Sequence, residues 1–408
     1  METKKRPTTR LVRATVVAAA SLALASVLAA GQTPERRASA KSHPTLMAMG
    51  KRVLGARPLA MYYYYPDERG IESLRARAGE MTALGPQTFR VEADGVVRGE
   101  VPAQVMEIAR GSGLPLMPLV VNPGFDRRTA SAVLRDPHAQ ERAATYLAYL
   151  AKRDDYVGWQ LDLENIDPRD KALYTRFARR VAAKLHADGR LLSIAVVPRF
   201  SDRYPDPRAL HRGATEFRTS EWGAPFDFRA LGQIADFLVL MTYDHHSNAT
   251  PPGPVAGHEW ISQALKYAVR RVPPSRIVMG LPFYGREWVQ TADARLSRPL
   301  AFNDLQLLLQ RPGVEVQWDT RWRAPWFQYQ EGAEVHTIWF DDRRSFKEKL
   351  DLIRQFRLRG FAAWRLGTED PEFWSVAAEM SKKLVPVARQ PARVSRRKAS
   401  AGSASRSR

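Results

Sequence analysis

Tyr156-Val-Gly-Trp-Gln-Leu-Asp-Leu-Glu164 is the stretch on which the fold turns. Its apolar residues alternate, so Val157, Trp159, Leu161 and Leu163 share one face of an extended strand. Gly158, Gln160, Asp162 and Glu164 share the other. A buried carboxylate without a partner is strongly disfavoured, and a purely structural strand has no use for two of them. A catalytic strand does, because one carboxylate raises the pKa of a neighbouring acid that must stay protonated.

On both sides of this strand, short apolar runs alternate with amphipathic segments, the pattern of βαβ units. The runs predict strands at Leu59–Tyr65, Thr88–Glu92, Leu116–Asn122, Tyr156–Glu164, Leu191–Val197, Phe237–Thr242, Ile277–Leu281 and Phe361–Trp364. Asp94-Gly95 predicts a small hairpin after the second. Asp167-Pro168 starts a helix in which Leu173, Phe177, Val181 and Leu185 recur every four residues, and Gly189 ends it. This series predicts an α/β chain folded as a (β/α)8 TIM barrel, in which Glu164, Tyr243 and Trp364 fall at the C-terminal strand ends where such barrels place their chemistry. Residues 290–342 exceed what one helix needs, and Val314–Trp318, Trp326–Tyr329 and Val335–Phe340 are β-rich and aromatic. They predict a small α+β insertion between strands seven and eight. No internal repeat or cell-wall-binding repeat is visible.

The 408 residues suffice for one large domain, here expected over 45–380, with tails on either side. The absence of cysteine excludes disulfides, thiol catalysis and cysteine metal sites. Lys4, Lys5, Arg6, Arg10 and Arg13 precede the uncharged, alanine-rich Ala14–Ala30, with Val27-Leu28-Ala29 as a small-residue cleavage site. These features predict a signal peptide over 1–30, a linker over 31–44 and an exported protein, with an uncleaved anchor as the alternative. The formal charge of +20 is uneven: residues 1–13 contribute +4 and residues 381–408 contribute +9, leaving about +7 for the rest. The Ser/Ala/Arg-rich tail cannot build a core and is expected to be disordered. It either attaches the protein to an anionic envelope polymer or simply solubilises it. Export makes nucleic acid a poor partner, and a monomer without a stable membrane span is expected. No phosphate loop or nucleotide fingerprint is present, so no cofactor is expected. His245 and His246 invite a metal reading, but neighbours on a strand point apart and no carboxylate set accompanies them, so no metal is expected.

Further motifs sit beyond the strand ends. They are Met241-Thr-Tyr-Asp244, Phe283-Tyr-Gly-Arg286, Gly360-Phe-Ala-Ala-Trp364 and Asn122-Pro-Gly-Phe-Asp126. Together with Gln160-x-Asp162-x-Glu164, they resemble the glycoside hydrolases of family 18, the chitinase family, whose strand-four signature is D-x-x-D-x-D-x-E. The last two acids match; Gln160 stands for the second acid and Val157 for the first. The resemblance covers most of 45–380 and is strongest to the bacterial cell-wall and spore-lysis branch.

That resemblance implies the roles that follow. Glu164 is the general acid that protonates the glycosidic oxygen, and the sugar's own acetamido carbonyl is the nucleophile, so no second carboxylate attacks. Asp162 holds the acetamido N–H and stabilises the oxazolinium-like intermediate. Tyr243 donates its hydroxyl to the acetamido oxygen. Asp244 binds a sugar hydroxyl, and Trp364 floors the subsite of the scissile sugar. Gln160 is expected to orient Asp162 by a hydrogen bond without supplying charge, and Val157 to have only a structural effect on the opposite strand face. Tyr284, Arg286 and Asn122 are candidate groove residues. Tyr63, Tyr64 and Tyr65 end the first strand, at least one facing the barrel, and Tyr64 is the candidate for substrate contact. Gly367-Thr-Glu-Asp370 and Trp374 are expected to be structural. The implied activity is retaining, substrate-assisted hydrolysis of β-linked N-acetylglucosamine glycans, peptidoglycan before chitin. The alternative is a non-catalytic carbohydrate-binding protein on the same barrel.

Overall fold

The computed structural model describes residues 48, 51, 55, 59–203, 217, 219–292 and 294–383. The signal-like segment and linker expected over residues 1–44, and the basic tail from residue 384, lie outside them. The closing helix Phe373–Lys383 takes in residues 381–383, which the sequence pattern assigned to the tail.

Eight parallel strands close on themselves. They are β1 (Leu59–Tyr64), β2 (Ala83–Val91), β3 (Leu119–Val121), β4 (Gly158–Asp162), β5 (Leu191–Val196), β6 (Phe237–Leu240), β7 (Ile277–Pro282) and β8 (Gly360–Trp364). Each pairs with the next, and β8 returns to β1, which also pairs with β2. Helices run between strands, so the expected (β/α)8 barrel is the architecture. Along β1 the alternation is clean. Leu59, Met61 and Tyr63 enter the barrel interior with Leu119, Val239 and Val278. Tyr62 and Tyr64 pack outward among the helices. On β4, Trp159 and Leu161 face outward, and Trp159 Nε1 donates to the Leu147 carbonyl at 2.8 Å, tying the strand to the helix Pro137–Arg153. Val157 was expected on that outer face; it lies just before the strand and joins the interior cluster instead.

The helix Lys171–Ala187 follows a 3-10 turn begun by Asp167, and it buries Tyr174, Phe177, Val181 and Leu185. Gly189 then adopts a φ of 67°, in the region that favours glycine after a helix end.

Two strands depart from their expected limits by three residues or more at one end. β2 begins at Ala83 rather than Thr88 and runs through Gly85-Pro86, which reads as a break in the sequence pattern. In the barrel, Gly85 is a close approach: a Cβ there would stand 2.6 Å from Met61 Cε and 2.8 Å from Tyr63 Cδ1. β3 is only three residues long because Pro115 and Pro118 have no N–H to give the ladder. The Asp94-Gly95 hairpin forms as expected, with Val97–Gly99 antiparallel to the end of β2.

Between β7 and β8 the chain builds a separate antiparallel sheet in the order Arg295–Leu300, Gly285–Gln290, Glu334–Trp339, Ala324–Glu331, Gln317–Asp319. With the helix Phe302–Leu309 it encloses its own core of Leu300, Leu305, Phe327, Ile338 and Phe340. This is the expected α+β insertion. It opens at Gly285, directly after β7, so Arg286 lies on its first strand rather than in a loop.

Candidate active site

Asp162 ends β4 and is 4% exposed. Its Oδ2 accepts a hydrogen bond from Gln87 Nε2 at 3.2 Å, while the buried Oδ1 has no partner. Burial pushes its pKa up to about 6, and the Gln87 bond pulls the other way. Glu164, two residues on, is half-buried. Burial first, then the charges of Asp162 and Asp244, raise its pKa well above the usual carboxylate range. The site thus holds an acid that burial and neighbouring carboxylates push toward its protonated form, two residues from a second buried acid, a pairing suited to general acid catalysis.

The backbone of Glu164 is clamped. Asn122 Oδ1 accepts from the Glu164 N–H at 3.0 Å, and Asn122 Nδ2 donates to the Glu164 carbonyl at 3.1 Å. Asn122 is fully buried, so it positions the acid rather than lining a groove, contrary to its expected role. The next residue, Asn165, has a φ of 52°, and its side-chain oxygen accepts from Arg127 Nη2 at 2.8 Å. Neither Arg127 nor Asn165 was identified from sequence, although asparagine directly after the acid suits a left-handed turn.

Gln160 does not orient Asp162. Its Nε2 donates to the Tyr63 hydroxyl at 2.8 Å, and its Oε1 accepts from Ser193 Oγ at 3.1 Å. It lies buried in the barrel, and the amide that reaches Asp162 is Gln87. Tyr63, rather than Tyr64, is the inward tyrosine of β1, and its ring packs 5.5 Å from that of Trp364. Tyr64 points outward and lines a cavity of about 460 Å³ with Pro66, Asp67, Glu68 and Ile71, so substrate contact by Tyr64 is set aside.

Tyr243 follows β6 and is half-buried. Burial, then Tyr63, Asp162, Tyr284 and Glu164, push its hydroxyl pKa well up, so it stays a donor. Gly280 on β7 makes room for it, since a Cβ there would stand 2.9 Å from Tyr243 Cε1. Asp244 has a φ of 56° and accepts from the Tyr284 hydroxyl at 2.7 Å and from Arg286 Nη2 at 3.4 Å. Tyr243, Asp244, Tyr284 and Arg286 therefore join one network with Glu164. Trp364 ends β8, half-exposed and packed against the interior cluster. Trp374 stacks on Tyr62 at 4.8 Å on the outer side of the barrel.

His245 and His246 do not point apart. Their rings approach to 4.5 Å, and His245 stacks on Trp260 at 4.8 Å with burial lowering its pKa to about 2. Among the described residues, no group of three or more histidines and acids could hold a metal ion, and no helix is long and apolar enough to cross a membrane.

A model of the glycosyl hydrolases family 18 matches residues 109–369. The cortical fragment-lytic enzyme of Bacillus subtilis is 27% identical over 328 residues, covering 77% of this chain and 73% of that protein. The spore cortex-lytic enzyme SleL of Bacillus megaterium superposes with a TM-score of 0.70 at 26% identity, covering 78% of this chain and 73% of that one. A chitinase of Chromobacterium violaceum gives 0.70 at 28% identity, covering 79% and 98%. The match spans the strand that carries Asp162 and Glu164 as well as Tyr243 and Trp364, and with it this chain is a glycosidase that belongs to glycoside hydrolase family 18.

Proposed function

We propose that the protein is an exported hydrolase of β-linked N-acetylglucosamine glycans that works by a retaining, substrate-assisted mechanism on bacterial wall peptidoglycan, with chitin oligomers as secondary substrates. The observation that carries this reading is the pairing at the end of β4: a shielded Glu164 whose pKa is raised by burial and neighbouring carboxylates, and an Asp162 with one oxygen fixed and the other unpartnered. Glu164 gives its proton to the glycosidic oxygen, so the leaving sugar departs as an alcohol. The acetamido carbonyl oxygen attacks the anomeric carbon from the opposite face. Asp162 Oδ1 takes up the acetamido N–H, and its charge offsets the oxazolinium that forms. Tyr243 holds the acetamido oxygen on line. Water, deprotonated by the Glu164 carboxylate, then opens the ring with overall retention.

Relatives named for lysis of spore cortex favour wall glycan over chitin. The basic and then apolar segment up to Ala30 supports export, and the +9 of residues 381–408 supports attraction to an anionic envelope polymer. The test is digestion of peptidoglycan and of chitin oligomers by the purified protein, with mass analysis of the new reducing ends and NMR of the first anomer released. The expected first product is the β anomer from N-acetylated substrate, with no cutting of fully deacetylated glycan. Initial α product would overturn substrate assistance.

A further inference from the structure

We propose that Gln87 is the positioning residue for Asp162, taking over the task that the strand pattern assigns to position 160. The inference rests on the substrate-assisted reading above. Gln160 is fully engaged by Tyr63 and Ser193, below the level of Asp162 on the same strand. Asp162 Oδ2 has one hydrogen bond, from Gln87 Nε2, and Oδ1 has none. Gln87 lies on β2 at a break in the ladder with β3: Gln87 pairs with Leu119, whereas Phe89 pairs with Val120, so an extra residue is accommodated between them. Such irregularities re-aim side chains and recur beside active sites. Here the carboxamide crosses from β2, beyond β3, to a carboxylate on β4.

The surroundings make this single bond matter. Among the described residues, the titratable groups that face Asp162 are Glu164, two residues beyond it, Tyr63 of β1, Tyr174 of the helix Lys171–Ala187, and Tyr243 after β6. None is a cation. Among the described residues, Asp162 is hydrogen-bonded by a neutral amide alone, which fixes one oxygen and leaves Oδ1 for the substrate. A variant without the donor leaves a buried carboxylate unsatisfied, and it takes up a proton at higher pH.

The experiment compares pH profiles of kcat/KM on a soluble N-acetylglucosamine oligomer. Gln87→Met keeps length and removes the donor. The acid limb should move up by about one pH unit, the size of one hydrogen bond to a charged group, with kcat at the acid side falling about tenfold and KM changing by less than about twofold. Gln87→Lys should move the limb down, because a cation favours the anion. A merely structural role for Gln87 would lower melting temperature without moving either limb, and that result overturns the proposal. In the unmutated chain, the Gln87 side-chain amide resonance should shift as Asp162 titrates and stay flat in Asp162→Asn. A flat resonance in the unmutated chain also overturns it, whether or not the variants fold. Wild-type rate in Asp162→Asn would instead remove the substrate-assisted reading itself.

Discussion

Two glutamates, one buried and one half-buried, are shielded from solvent for opposite purposes. Glu287, on the first strand of the insertion sheet, is 1% exposed and surrounded by donors. His336 Nδ1 lies 2.8 Å from it, the Tyr329 hydroxyl 3.0 Å, and Arg298 Nε 2.7 Å. Although burial alone would raise its pKa, these donors and the Arg298 charge bring it below the usual value. Glu164, at the mouth of the barrel, has carboxylates for neighbours, and its pKa goes far up. The donor set decides which way a shielded acid titrates. The insertion favours the anion of Glu287 as part of its fold, whereas the barrel mouth favours the protonated form of Glu164.

The largest expected effect tests the acid directly. Glu164→Gln should lower kcat on an unactivated glycan by about 10²- to 10⁴-fold, the usual contribution of general acid catalysis, with melting temperature unchanged or raised. Asp162→Asn should be nearly as damaging, because the oxazolinium loses its counter-charge. Tyr243→Phe should be milder, at roughly 10²-fold or less, since it removes one donor. Steady-state kinetics on the three variants would check this order, and Tyr243→Phe falling below Asp162→Asn would contradict the roles given.

How much of this contrast was legible beforehand differs between the two regions. The period-two alternation around β4 and the spacing of Asp162 and Glu164 are local properties, so the strand and the placement of its acids could be read directly. Asp244, Tyr284 and Arg286 follow strand ends in recognisable order and do come together. Gln87 could not be read: it is separated from Asp162 by most of two βα units, and Gly85-Pro86 disguises its strand. Tyr63 and Tyr64 cannot be told apart by sequence because four consecutive tyrosines, Tyr62–Tyr65, give no parity until the register of β1 is known. The donors around Glu287 converge from three strands that pair only in the folded sheet.

A second expected effect is on stability. Burial raises the pKa of Asp162 to about 6 from its ordinary 3.8. Its folded form therefore binds protons more readily than its unfolded form, and stability associated with it falls as pH rises from about 4 through about 6. Asp162→Asn should raise stability at pH 7 by about 1–3 kcal/mol. Glu287 has the opposite sign: its contribution is present above the unfolded pKa and is lost as pH falls through the lower folded one. Glu287→Gln should therefore destabilise by about 1–3 kcal/mol at pH 7, because the amide keeps one oxygen for His336 and Tyr329 but loses the charge and turns an NH2 toward Arg298. Denaturant melts at pH 5 and 7 would check both signs. Destabilisation by both substitutions would end the contrast.

The smallest effect sharpens the picture of the barrel mouth. Asp244 is the last contributor to the raised pKa of Glu164, after burial and Asp162. It is exposed, and Arg286 Nη2 at 3.4 Å offsets part of its charge. Asp244→Asn keeps an acceptor for the Tyr284 hydroxyl but removes the charge. Glu164 then loses its proton at lower pH, so the alkaline limb of kcat/KM should move down, by only about a few tenths of a unit because solvent and Arg286 screen the interaction. Raising the ionic strength should produce a similar small shift in the unmutated enzyme and almost none in Asp244→Asn, since the screened charge is already gone. An alkaline limb that moves as far in Asp244→Asn as in Asp162→Asn would mean that Asp244 faces Glu164 without screening, and that the proton on the acid is held by the outer carboxylate as much as by the inner one.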